Sequence, residues 1–175
     1  MLEKELETIA GETYCEDGSA RKRFLERLGE RDYTRDENPI SHFCAYFLPF
    51  DKKSGKVFLI HHKKSGLWLS PGGHIDKGES ILDTLNREIE EELGVKEFYK
   101  DIPKPFYFEM TPVSNSVQPC REHFDIWYLM ETDGRNFKVS PDEFLNSGWF
   151  SMPEARKMLV DPANLEALKI IEQLK

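Results

Sequence analysis

Between Ser80 and Gly94 the chain spells out one complete helix, and the last turns of that helix carry four glutamates in five consecutive positions, in REIEEELGV from Arg87 to Val95. Ser80 stands where an N-cap belongs, with Asp83 at the third helical position as a weaker relative of the capping-box acid. Gly94 can take the left-handed conformation that closes a helix. At roughly 100° per residue, Glu88, Glu91 and Glu92 fall within an arc of about 100°, while Glu90 points away. Leu82, Leu85, Ile89 and Leu93 form an apolar stripe about a quarter turn round, so the three carboxylates border the side that meets the core. Like charges at this spacing repel and weaken a helix. The crowding is either an ordinary solvated acidic face or a cation site.

Three anionic groups held near a protein wall raise one another's pKa values unless something positive sits among them. Oxygen-only ligands with no histidine or cysteine favour Mg²⁺ or Mn²⁺ over Zn²⁺.

The texture on either side sets the fold class. HFCAYFLPF at 42–50 and VFLI at 57–60 are almost continuously apolar, as strands buried on both faces are, with the turn DKKSGK between them. The tetrapeptide KKSG recurs at Lys63 to Gly66 as a second turn. FYFEM at 106–110 alternates. HFDIWYLM at 123–130 follows a loop rich in Pro, Ser and Asn, and a last strand includes Gly148 to Phe150. Before all of these, Leu2, Leu6 and Ile9 share a helical face, a turn stands at Asp17-Gly18, and a second short helix carries Phe24, Leu25 and Leu28 before Gly29. After them, Pro153 opens a short helix and Pro162 another, with Leu165, Leu168, Ile171 and Leu174 as its stripe. Strands with helices before, between and after them predict an α/β fold with a mixed sheet covered on both faces. The expected organisation is a helical extension over residues 1–40, packed on one domain over 41–175; a dimer contact is the alternative use of those helices.

Composition limits the partners. With 32 acidic and 24 basic residues, the net charge of -8 argues against a general nucleic-acid surface. The three cysteines, Cys15, Cys44 and Cys120, form no CxxC pair and read as reduced thiols. The N-terminus is acidic and lacks the apolar run of a signal peptide or membrane span, so a cytoplasmic protein is expected.

Immediately before the acidic helix lies SPGGHIDKGES. Taken together the chain reads Gly73, five residues, Glu79, seven residues, Arg87-Glu88-Ile89, one residue, Glu91-Glu92, one residue, Gly94-Val95. These 23 residues resemble the Nudix box, the signature of the Nudix hydrolases, at all its defining positions. Nine specified positions arise by chance in such a chain on the order of once in ten million or less, so the match is specific. The resemblance implies an α/β/α sandwich with a mixed sheet. It also implies hydrolysis of a small nucleoside diphosphate derivative by attack of water on phosphorus, with Mg²⁺ or Mn²⁺ as cofactor. It implies Glu88, Glu91 and Glu92 as metal ligands, supplemented by the Gly73 carbonyl or Glu79, and Arg87 as the residue that orients glutamates by pairing with Glu79. A plain Arg87–Glu79 salt bridge of structural value is the other reading. In Nudix enzymes the general base comes from the box, here Glu88, or from a later loop, here Glu143 with Asp142 close behind.

Outside the box, His123, Asp125 and Trp127 share one strand face, opposite Phe124, Ile126 and Tyr128; they line a substrate pocket or form a partly wet face. His61-His62-Lys63-Lys64 meets a terminal phosphate or is a solvated turn, and Trp68 stacks on a base or fills the core. The substrate stays open. Pro112 lies near where ADP-ribose hydrolases of the family carry a proline, but five prolines fall between residues 103 and 141. The diadenosine polyphosphate tyrosine and the SQPWPFPxS signature of the NADH branch are not matched. Two other classes compete: a non-hydrolytic Nudix-fold ligand sensor, and an enzyme of the isopentenyl diphosphate isomerase type that needs a reactive cysteine, Cys44 or Cys120, and further metal ligands. An RNA-decapping enzyme is disfavoured by the acidic charge.

Overall fold

The computed structural model describes residues 1–15, 18–113 and 119–173. In chain order it contains α1 (Leu2–Glu12), α2 (Gly18–Glu30), β1 (Ser41–Asp51), β2 (Lys56–His62), β3 (Trp68–Leu69), β4 (Gly72–His74), α3 (Ile81–Leu93), β5 (Tyr107–Pro112), β6 (Glu122–Glu131), β7 (Phe144–Ser151), α4 (Met152–Met158) and α5 (Pro162–Gln173). The chain divides into two compact units. The first is Met1–Tyr46, Gly73–Leu85 and Tyr99–Tyr128; the second is Phe47–Gly72, Asn86–Phe98 and Leu129–Lys175. Among the described residues no helix is long and apolar enough to cross a membrane.

In the first unit β1 has β4 and β6 as neighbours and β6 has β5. β5 and β6 run antiparallel with Tyr107 opposite Trp127, Glu109 opposite Asp125 and Thr111 opposite His123. The core of this unit is aromatic. Phe24 of α2 meets Phe43 edge-on at 5.0 Å and Phe108 at 4.5 Å, and all three side chains are buried. Arg27 corrects the helix as read from the sequence. It, and not Leu25, occupies the inner face: Leu25 is exposed, whereas the Arg27 guanidinium is fully buried and donates to the carbonyls of Ser41, Arg31 and Asp32. A buried cation is tolerated here because it satisfies carbonyls that the chain leaves behind where α2 ends. α2 also runs through Gly29 without ending there. Its outer edge is fixed by Arg23, whose guanidinium pairs with Glu122 at 2.6 Å. The Asp17 of the expected turn lies outside the described residues.

In the second unit β2 is central, paired antiparallel with β1, β3 and β7. The β2–β7 ladder sets Val57 opposite Phe150, Phe58 opposite Trp149 and His61 opposite Asn146. Ser151 and Glu154 form a reciprocal capping box that starts α4, with Pro153 in its first turn. On α5 the buried face is Ala163, Asn164, Ala167, Leu168, Ile170 and Ile171. Leu165 is only half-buried, and Leu174 lies outside the described residues. Asn164 is on that face because its side-chain oxygen accepts the Ser70 N–H at 2.6 Å.

Two strands went unread in the sequence. β3 and β4 have two and three residues, too short to show alternation, and β4 lies inside the glycine-rich stretch that reads as a loop.

Candidate active site

Helix α3 is built as its sequence directs. Ser80 donates from its N–H and hydroxyl to Asp83, and the Asp83 N–H returns a bond to the Ser80 hydroxyl. Gly94 has φ +68° and closes the helix, its N–H reaching the Glu90 carbonyl at 2.9 Å. The inner stripe is Ile81, Leu85, Ile89 and Leu93, each fully buried, with Leu82 half-buried where Ile81 takes its place.

In the second unit the carboxylates sort themselves by burial. Glu88 and Glu92 are buried, Glu91 is exposed on the flank of the same face, and Glu90 points away to pair with Lys96 at 3.0 Å. Arg87 ties two of them: its guanidinium lies 2.6 Å from Glu88 and 3.3 Å from Glu91. Glu92 accepts the N–H of Gly72 at 2.8 Å. The backbone of the 138–143 segment docks on the end of the helix, with Lys138 N–H to the Leu93 carbonyl at 2.7 Å and Ser140 N–H to the Glu92 carbonyl at 3.3 Å. Lys63 holds the same segment, donating from its N–H to the Glu143 carbonyl and from its ammonium to the Pro141 carbonyl. The lysine turn thus has a scaffolding use.

The electrostatics follow from this packing. Burial pushes the Glu92 carboxyl well above its ordinary range; Glu88, Glu143 and Glu91 push the same way, against the Gly72 N–H. Burial also raises Glu88, with the Arg87 guanidinium pulling back. The charge of Glu143 acts on both buried glutamates. An all-oxygen set of carboxylates, two of them buried with too little positive charge to balance them, suits a hard divalent cation. Trp68 is half-buried, its ring stacked on His61 at 5.0 Å and meeting Phe150 edge-on at 5.2 Å.

In the first unit, Glu79 accepts the Asp76 N–H and the Thr84 hydroxyl, and Gly73 lies in β4. Asp125 is buried and accepts the Thr111 hydroxyl at 2.5 Å. Trp127 is buried and stacks on Tyr46 at 5.1 Å. The face of β6 that alternation left partly wet is therefore packed for two of its three residues. His123 stands with its Nε2 atom 3.4 Å from that of His74, and burial depresses its pKa to about 4. Three residues in these networks were missed: Gly72, His74, and His42, whose ring lies 4.9 Å from that of His123. Gly72 contributes through a backbone N–H, which no side-chain motif records, and His42 sits in an apolar run that masks it.

The sequence model of the NUDIX domain matches residues 40–174, and the chain belongs to the Nudix family. Nudix hydrolase 6 of Arabidopsis thaliana is 29% identical over 112 residues, 59% of this chain and 37% of that one, so the match spans well under two thirds of that relative. The asymmetrical bis(5'-nucleosyl)-tetraphosphatase of Mus musculus is 28% identical over 116 residues, covering 65% and 76%. The E. coli dihydroneopterin triphosphate pyrophosphohydrolase superposes with a TM-score of 0.63 at 14% identity, over 80% of this chain and 98% of that one. That likeness shows the fold: α/β, with a mixed sheet and flanking helices.

Proposed function

We propose that this chain is a divalent-cation-dependent pyrophosphohydrolase that cleaves a diphosphate linkage in a nucleotide, nucleotide sugar or ADP-ribose-like compound by attack of water on phosphorus. The observation that carries the reading is the pair of buried glutamates, Glu88 and Glu92, set beside Glu91 on one helix face and in the field of Glu143. Such a group is unfavourable by itself and becomes favourable with a hard cation among its oxygens. Glu88, Glu91 and Glu92 would hold Mg²⁺ or Mn²⁺; Gly73 and Glu79 enter the proposal on the sequence motif alone. When bound, the cation supplies charge neutralisation at the diphosphate oxygens.

The protein's own residues do the rest. Arg87 fixes the Glu88 and Glu91 side chains through its guanidinium. Glu143, on a segment anchored to the helix end, takes the proton of the attacking water. Glu88 is the less suited base because Arg87 already occupies it. Named relatives that act on a nucleosyl tetraphosphate and a dihydroneopterin triphosphate support a phosphoanhydride of a nucleotide-like group. The isomerase reading is weakened because it needs a cysteine beside the substrate, and Cys44 and Cys120 are both buried.

The test is hydrolysis of a panel of nucleoside triphosphates, dinucleoside polyphosphates, nucleotide sugars and ADP-ribose with Mg²⁺ or Mn²⁺, followed by phosphorus NMR, with Glu91→Gln as control. Cation-dependent cleavage at a diphosphate, lost in the variant, is the expected result. Silence across the panel from a folded protein moves the assignment to a sensor or the isomerase.

A further inference from the structure

Within the first unit a second group of ligating side chains has no part in the acidic helix. His42 of β1, His74 of β4, His123 of β6 and Cys120, just ahead of β6, place one donor atom each so that all four lie within 4.8 Å of one another. We infer that these four side chains form a site for a borderline-soft divalent ion, Zn²⁺ foremost, with three imidazole nitrogens and one thiolate as ligands.

Three observations support the site. The first is edge length. Tetrahedral zinc with nitrogens at about 2.05 Å and sulfur at about 2.3 Å requires N···N separations of about 3.4 Å and N···S separations of about 3.6 Å. His74 Nε2 and His123 Nε2 are 3.4 Å apart, and His42 Nε2 and Cys120 Sγ are 3.8 Å apart. The second is the tautomer of His42. Its Nδ1 lies 2.9 Å from the Asn38 carbonyl, which can only accept, so Nδ1 carries the hydrogen and Nε2 turns its lone pair toward the other three donors. A backbone carbonyl on the far nitrogen is the usual partner of a ligating histidine. The third is the arrangement of the rings. The centroids of His42, His74 and His123 are 4.7, 4.9 and 5.0 Å apart, and no two rings are stacked face to face.

The donor set decides the metal. Three neutral imidazoles and a thiolate prefer Zn²⁺ to Mg²⁺ or Mn²⁺, whereas the glutamates of α3 have the opposite preference. Binding removes the Cys120 thiol proton to solvent, leaving one net positive charge on the complex. A surface cavity of about 370 Å³, lined by Arg35, Pro39, His74 and Cys120 among others, offers an entry path to two of the ligands. Four protein ligands leave no open position, so the ion is structural: it staples β1, β4 and β6. Asp125 and Cys44 form a smaller group with His123, but three donors, one already engaged by Thr111, make the weaker set.

The test uses the 175-residue chain, reduced, stripped of metal with a chelator and titrated with Co²⁺. Expected are a near-ultraviolet thiolate-to-cobalt charge-transfer band and the intense visible bands of tetrahedral cobalt. Both should saturate at one equivalent, be displaced by Zn²⁺, and resist excess Mg²⁺. Glu91→Gln keeps the spectrum, which separates this site from the acidic helix. Cys120→Ser loses the charge-transfer band. X-ray absorption at the zinc edge of the loaded wild type, which needs no variant, should give one sulfur and three nitrogen ligands. No charge-transfer band in the wild type, or a zinc shell without sulfur, overturns the proposal.

Discussion

The N–H of Gly72 donates a 2.8 Å hydrogen bond to the carboxylate of Glu92, so the strand leading into the box and the end of the acidic helix meet through the acid itself. Gly72 has φ +133°, a backbone conformation that side-chain-bearing residues rarely adopt. The bond favours the ionised carboxylate, yet burial and the neighbouring acids outweigh it, and the pKa of Glu92 stays raised.

This gives a stability prediction with a defined sign. Because the folded-state pKa of Glu92 lies above the ordinary value of 4.5, its protonated form contributes stability that is complete below that value and is lost as pH rises toward the folded pKa. In Glu92→Gln, the amide oxygen keeps the Gly72 bond and the charge is gone. Thermal melts of chelator-treated protein should show the variant gaining on the wild type as pH rises above about 4.5. A wild type that gains on the variant with rising pH would contradict this account.

Arg87 tests geometry against charge. Its Nη1 reaches Glu88 and Glu91 at once, held by a planar guanidinium whose rigidity the more mobile lysine ammonium does not reproduce. Arg87→Lys should lose on the order of tenfold in kcat, with a smaller change in KM. In Arg87→Ala the Glu88 carboxyl, freed of the opposing cation, should titrate higher and move the acidic limb of the pH–rate profile upward. Loss of thermal stability with unchanged specific activity would reduce Arg87 to a structural ion pair.

Gly94 sets the end of the helix. At φ +68°, an added Cβ would lie 2.9 Å from the Cβ of Lys138, whose own N–H caps Leu93. Gly94→Ala should cost about 1–3 kcal/mol by denaturant unfolding, from the left-handed backbone and the contact together. A neutral result would mean that the 138–143 segment does not depend on this close approach.

Arg27 is the corresponding test in the other unit. Replacing it with Met keeps volume but strips the carbonyls of Ser41, Arg31 and Asp32 of a donor. The expected loss is about 2–5 kcal/mol by chemical denaturation. Arg27→Met as stable as wild type would show that those carbonyls find other partners.

Legibility in the sequence followed the range of the interactions. The capped helix, its glycine stop and the buried strands β1 and β2 are local patterns, and they were readable. Glu90 was separated from the other glutamates by helical geometry alone, and it does turn away to Lys96. The long-range features were not readable. Arg27 looks like a surface charge until Ser41 folds over it, and β4 is too short for periodicity. The histidine and cysteine cluster draws on residues from 42 to 123, and its one short spacing, Cys120 to His123, gives no sign of the other two. The absence of a CxxC pair therefore said nothing about a site assembled from three strands. His123, read from the sequence as lining a pocket or a partly wet face, stands beside His42 and His74, a neighbourhood that alternation along one strand does not show.

The buried glutamates of α3 are proposed to hold a divalent cation. Mn²⁺ binding to the 175-residue chain, measured by electron paramagnetic resonance, tests this directly across wild type, Glu92→Gln and Glu90→Gln. Expected are at least about tenfold weaker binding for Glu92→Gln and wild-type binding for Glu90→Gln, whose carboxylate faces Lys96. Binding by Glu92→Gln as tight as that of the wild type would contradict the proposal.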